Sequence, residues 1–195
     1  MSDAIRIDAT MFQIYVHHEI SCVPRHWSEV AEQVQNSSHF KNSDGHAFLY
    51  GIWRSQIGLP RDVLTIVSVW PDMGTASSKS DDIFSRLKFI KSHKTKFLAP
   101  TLRPKTSEPP VKQGNYAFRW FETPENNYDK FLQLCEEVWP SFESSFDSQV
   151  IGLWRQQPTD KDSVSTLLLT RRPVLSMWER SKIPKTMAEK PLAKN

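Results

Sequence analysis

The chain is short of the residues by which much protein chemistry announces itself. Six glycines in 195 residues leave no phosphate-cradling loop and no dinucleotide fingerprint. Two cysteines, Cys22 and Cys135, stand far apart without metal-ligand spacing, which excludes a disulfide scaffold and fits a reducing, cytoplasmic setting. No apolar run approaches membrane-spanning length, and the N-terminus lacks a signal-peptide core. Neither Gly-x-Ser-x-Gly nor His-Glu-x-x-His occurs. The net charge of +3 is too small to imply nucleic-acid binding. What remains is chemistry without a cofactor or metal, or a binding role without chemistry.

What is present is a repetition. Gly51-Ile52-Trp53-Arg54 returns as Gly152-Leu153-Trp154-Arg155, and each copy leads through a polar turn into an alternating apolar run, Asp62 to Trp70 and Asp162 to Thr170. Around these anchors the periodicity predicts two β-α-β-β-α units. In the first, Phe12, Ile14 and Val16 alternate on a strand. Trp27, Val30, Ala31 and Val34 form a helical stripe, the strands Ala47 to Ile57 and Val63 to Val69 follow, and a helix capped by Ser80 buries Ile83, Leu87 and Ile90. In the second, the strand around Trp120 precedes a helix that Pro140 should end or kink, then two strands and a short helix from Pro173. The predicted domains are residues 10–96 and 115–182. Between them, residues 97–114 hold four prolines and read as a linker, and residues 183–195 read as a flexible basic tail. The lysine-rich stretch from Arg86 to Lys105 reads as a helix end running into that linker. A sheet with helices on one face needs cover on the other, so the two units are expected to close into an α+β barrel of ferredoxin-like repeats.

The segment Gly152-Leu153-Trp154, the strand Ser163 to Arg171 and the helix Pro173-Val174-Leu175-Ser176-Met177-Trp178-Glu179-Arg180 resemble NIPSNAP-type members of the dimeric α+β barrel superfamily. Antibiotic-biosynthesis monooxygenases belong to the same superfamily. The match spans about Asn115 to Ser181, and more loosely Thr10 to His93. The resemblance implies a cavity between sheet and helices. It also brings in relatives that are cofactor-independent monooxygenases, polyketide cyclases, haem-degrading enzymes and proteins without known activity. Members usually pair two chains, so a homodimer and a barrel completed within one chain are both open.

His17-His18-Glu19 invites a metal reading, but neighbouring strand residues point to opposite faces and no third ligand is evident. His18 falls at the polar end of the face carrying Phe12, Ile14 and Val16, where an imidazole is suited to proton transfer near neutral pH. Superposing the two first strands sets His18 on Glu122, His17 on Phe121 and Tyr15 on Arg119. The expected site has His18 as general acid or base, with Arg54 or Arg119 stabilising an oxyanion. Trp53 and Trp120 form its wall, and Tyr15, His17 and Glu122 contact the substrate. The plainer readings are a solvated histidine at a strand end and tryptophans filling symmetric core positions.

The expected function is therefore a cofactor-independent oxygenase, cyclase or isomerase for a hydrophobic aromatic or polyketide-like metabolite. A non-catalytic NIPSNAP-like interaction module is the alternative. Haem binding, prompted by His93 near a helix end, is a third.

Overall fold

The computed structural model describes residues 13–41, 47–158 and 162–180, and for Lys41 and residues 178–180 the backbone only. The expected strand residue Phe12 and the basic tail from Ile183 lie outside them. The described residues divide into two compact α+β units. Among them no helix is long and apolar enough to cross a membrane.

The first unit runs β1 (Ile14–Cys22), α1 (Trp27–Gln35), α2 (Ser38–Lys41), β2 (Phe48–Arg54), β3 (Val63–Trp70), α3 (Met73–Lys79), α4 (Asp82–Ser85) and β4 (Ile90–Pro100). Its strands pair antiparallel in the order β2-β3-β1-β4. That is the ferredoxin-like arrangement. Strand alternation sends Ile14, Val16, Ile20 and Cys22 of β1 into a core with Val30 and Val34 of α1, Leu64 and Ile66 of β3, Ala76 of α3 and Ile83 and Phe84 of α4. Val30 and Val34 sit four residues apart on one helical face, so their burial gives a short helix most of its stability.

The second unit runs β5 (Asn115–Pro124), a 3-10 turn (Glu125–Asn127), α5 (Tyr128–Phe146), β6 (Gln149–Gln157), β7 (Ser163–Arg172) and α6 (Leu175–Arg180). Its antiparallel order is β6-β7-β5. Trp139 of α5 packs on Val150 and Leu153 of β6.

Three expectations need correction. The helix expected across Ser80 to Ile90 breaks after Ser85. Ser80 caps the end of α3, Phe89 adopts a positive φ of 67°, and Ile90–Pro100 becomes a fourth strand paired along β1. Pairing with a strand buried on both faces outweighs the local helical spacing. The expected linker is likewise not free: Phe97 to Pro100 belong to β4, and Thr101 and Arg103 exchange backbone hydrogen bonds with Leu153 at 3.0 and 2.9 Å. Of the two effects expected of Pro140, an ended helix is excluded, since α5 runs on to Phe146. Pro140 lies on the exposed side beside buried Trp139, where the helix tolerates the missing N–H.

The repeated motif has a physical cause. Each pairing, β2 with β3 and β6 with β7, slips by one residue just before the glycine. Each tryptophan then folds back over that glycine, so that a methyl group on Gly51 or Gly152 would lie 2.2 Å from the indole two residues on. Only glycine fits beneath the ring.

Candidate functional site

His18 is wholly buried, at 0% exposure, on the helix-covered face of β1, and its ring meets Phe84 of α4 edge-on at 4.5 Å. Register places it opposite Thr95 of β4, whose hydroxyl lies 3.1 Å from His18 Nδ1. The same hydroxyl donates to Asp81 Oδ1 at 2.7 Å, and His93 Nε2 lies 3.5 Å from that oxygen. A hydroxyl has one proton. Because Thr95 gives its proton to Asp81, His18 Nδ1 must be the donor toward Thr95. A neutral ring protonated at Nδ1 carries its lone pair on Nε2, and Nε2 has no hydrogen-bond partner among the described residues. Burial, reinforced by neighbouring His17 and His93, pushes the His18 pKa down to about 3, so the ring is neutral at pH 7.

The other expected residues separate by face and by unit. Arg54 shares the helix-covered face of the first unit, but its guanidinium stacks 4.0 Å over Trp27 and its Nε donates to the Arg61 carbonyl at 3.1 Å. Tyr15, His17 and Trp53 point to the opposite face, because Tyr15 and His17 flank His18 along β1 and Trp53 is out of phase with Arg54 along β2. There Tyr15 packs edge-on against Tyr50 at 5.2 Å, and burial, followed by the Lys96 charge, lowers the His17 pKa to about 4. These three therefore do not share a cleft with His18.

In the second unit Arg119 faces the helix, while Trp120 and exposed Glu122 point to the other side. Arg119 makes no hydrogen bond or ion pair among the described residues. Burial lowers the pKa of neighbouring Arg172, and the Arg119 charge lowers it further.

Register also corrects the expected superposition of the two first strands. His18 pairs with Ile66 and Arg119 with Leu168, and these partners hold equivalent places relative to Gly51 and Gly152. By register, the place that His18 holds in the first unit is held by Arg119 in the second, not by Glu122.

Thr95 and Asp81 escape a reading of the sequence because each wears another pattern. Thr95 lies within a lysine-rich stretch, and Asp81 looks like an ordinary first-turn carboxylate. His93, expected near a helix end, sits on β4. Among the described residues no group of three or more His, Cys, Asp or Glu is placed to hold a metal ion.

No family model matches the chain, and no curated protein matches it in sequence. Solved structures do. A proposed monooxygenase from Lactobacillus acidophilus is 12% identical, with 91% of this chain and 85% of that one covered and a TM-score of 0.57. Another, from Fusobacterium nucleatum, is 7% identical, with 94% and 86% covered and a TM-score of 0.56. The chain has their fold. At such identities the likeness does not extend to residues or substrates, so any chemistry has to be argued from the side chains present.

Proposed function

We propose that the chain is a fused pair of ferredoxin-like repeats of the NIPSNAP and antibiotic-biosynthesis-monooxygenase type, and that its first repeat catalyses a cofactor-independent proton transfer on a hydrophobic aromatic or polyketide-like metabolite. The duplication is supported by the shared strand order, the matching bulges and the two glycine-tryptophan stacks. The catalytic reading is carried by one observation, the unpartnered Nε2 of His18 behind an Nδ1–H that leads through Thr95 to Asp81. Such an imidazole is oriented by a third group, in the manner of an activated base. Nε2 takes a proton from a carbon acid beside a carbonyl. The resulting enolate then isomerises, closes a ring or meets dioxygen as co-substrate. The resting base is weak, and it strengthens as the enolate forms, because an adjacent anion favours the imidazolium.

Access requires the packing around the ring to open, since His18 is wholly buried with Phe84 against it. Native mass spectrometry of protein from its producing cell would identify a retained metabolite. Its turnover should fall about 100-fold or more in His18→Ala. Turnover at the wild-type rate would overturn the assignment.

The complete burial of His18 favours a second reading, in which the module binds a partner and catalyses nothing. That reading expects His18→Phe to fold, to retain partner capture and to show no metabolite at any stage of purification.

A further inference from the structure

The second unit contains a cluster of hydrogen-bond donors that its own chain leaves unused. Arg155 of β6, Thr166 of β7 and Phe121 of β5 form a row across the three strands, each directly opposite the next. Above this row stands Tyr128, the first residue of α5, with the Arg155 guanidinium 5.0 Å from its ring centre. Tyr128 and Thr166 are 5% and 0% exposed. The Tyr128 hydroxyl, the Thr166 hydroxyl and the Arg155 Nε–H are buried atoms without a hydrogen-bond partner among the described residues. Burial raises the Tyr128 pKa, and hydrogen bonding with the nearby Thr166 hydroxyl, followed by the Arg155 charge, opposes it only in part. The two hydroxyls are near enough to turn toward each other, and with that bond made one O–H and the Arg155 Nε–H are still unspent.

The first unit supplies an internal control. Arg54 stacks on Trp27, the first residue of α1, just as Arg155 stacks on Tyr128. There the row reads Arg54, Leu64, Ile20, and Arg54 Nε is satisfied by the Arg61 carbonyl. The scaffold is thus complete with apolar residues in these places. In the second unit Trp27 is answered by a tyrosine and Leu64 by a threonine, adding two buried hydroxyls that fold stability does not need and that desolvation penalises.

The charge nearby is already balanced. Arg155 Nη2 lies 2.9 Å from both carboxylate oxygens of Glu125, so the cluster offers donors without a surplus positive charge. That suits a neutral acceptor oxygen better than an anion. Beside it Phe131 packs on Tyr128 and Phe121 with ring centres 6.0 Å apart in each case, and Phe121 is 37% exposed, so the aromatic shelf reaches solvent.

We propose that Tyr128, Thr166 and Arg155 form a binding site for the carbonyl oxygen of a planar aromatic ligand, with Phe121 and Phe131 as its apolar shelf. This site is independent of His18 and stands whether or not the first unit is catalytic.

The test uses acetophenone and its near-isostere α-methylstyrene, which replaces the carbonyl oxygen by a methylene group, titrated into the full-length 15N-labelled protein. Acetophenone should shift the Arg155 Nε–H and the amides of Tyr128 and Thr166, and bind about tenfold more tightly than α-methylstyrene. Thr166→Val and Tyr128→Phe should each weaken acetophenone about three- to tenfold, leave α-methylstyrene unchanged and leave Tm equal or higher, because each removes an unsatisfied hydroxyl. Equal binding of the two compounds, no response at Arg155 Nε–H, or no binding of either would overturn the proposal. So would a fall of several degrees in Tm for both variants, which would show the hydroxyls satisfied within the protein.

Discussion

Two adjacent buried histidines should make this protein unusually sensitive to mild acid. His17 and His18 have pKa values lowered to about 4 and about 3, in both cases chiefly by burial. In the unfolded chain each titrates near its ordinary value of about 6.5. Between these limits the unfolded state binds protons that the folded state refuses, so stability rises with pH. The contribution is fully present above about pH 6.5 and drains away as pH falls toward the folded values. At pH 5 both histidines are protonated only when unfolded. At about 1.4 kcal/mol per pH unit this removes about 2 kcal/mol for each, or about 4 kcal/mol for the pair. A typical domain has about 5–15 kcal/mol to lose. Urea unfolding followed by tryptophan fluorescence from about pH 7.5 to 5 would measure the slope, which should approach about 2.7 kcal/mol per unit below pH 6. His17→Gln and His18→Gln should each halve that slope, whatever they do to stability at pH 7.5. A wild-type stability flat across the window, or a slope that survives both substitutions, would refute the burial of neutral imidazoles.

Gly51→Ala and Gly152→Ala should both destabilise by about 1–3 kcal/mol through overpacking against the indole rings. Gly152→Ala should cost more, because Trp154 is 2% exposed and cannot swing aside as half-buried Trp53 can; equal melting temperatures would contradict this. Burial pushes the Glu143 carboxyl up, but hydrogen bonds from Arg103 and the Val150 N–H, together with the Arg103 charge, bring it below its usual value. Its stabilisation is therefore present above the ordinary carboxylate pKa and lost as pH falls through the folded one. Glu143→Gln should lower stability by about 1–3 kcal/mol at neutral pH and flatten the unfolding profile below about pH 4.5.

The parts of the fold that can be read from the sequence are those whose pattern repeats or alternates without a partner. Ile14, Val16, His18 and Ile20 alternate strongly enough to place His18 on the helix side of β1, and the Gly-x-Trp pairs locate β2 and β6. β4 is hidden because Lys91, Lys94 and Lys96 mimic a solvated helix end, and its period of two through Thr95, Phe97 and Ala99 has meaning only once β1 lies alongside. The same gap conceals the Thr95 to Asp81 link, which joins residues fourteen apart through a turn that Phe89 makes with a positive φ. The expected superposition of the two first strands fails for a related reason. First strands of similar composition can be slid by three residues without penalty on paper, whereas the β3 and β7 pairings admit one register. The donor cluster of the second unit is invisible in sequence because Arg155, Thr166 and Tyr128 are dispersed along the chain and meet only across the sheet.

The catalytic reading depends on which nitrogen of His18 holds the proton. A long-range 1H–15N spectrum of the histidine side chains at pH 7, with His18 assigned by substitution, reports this directly. A neutral ring protonated at Nδ1, with an unprotonated Nε2 and a pattern altered by Thr95→Val, is the predicted result. A ring protonated at Nε2, or a charged imidazolium, would contradict it.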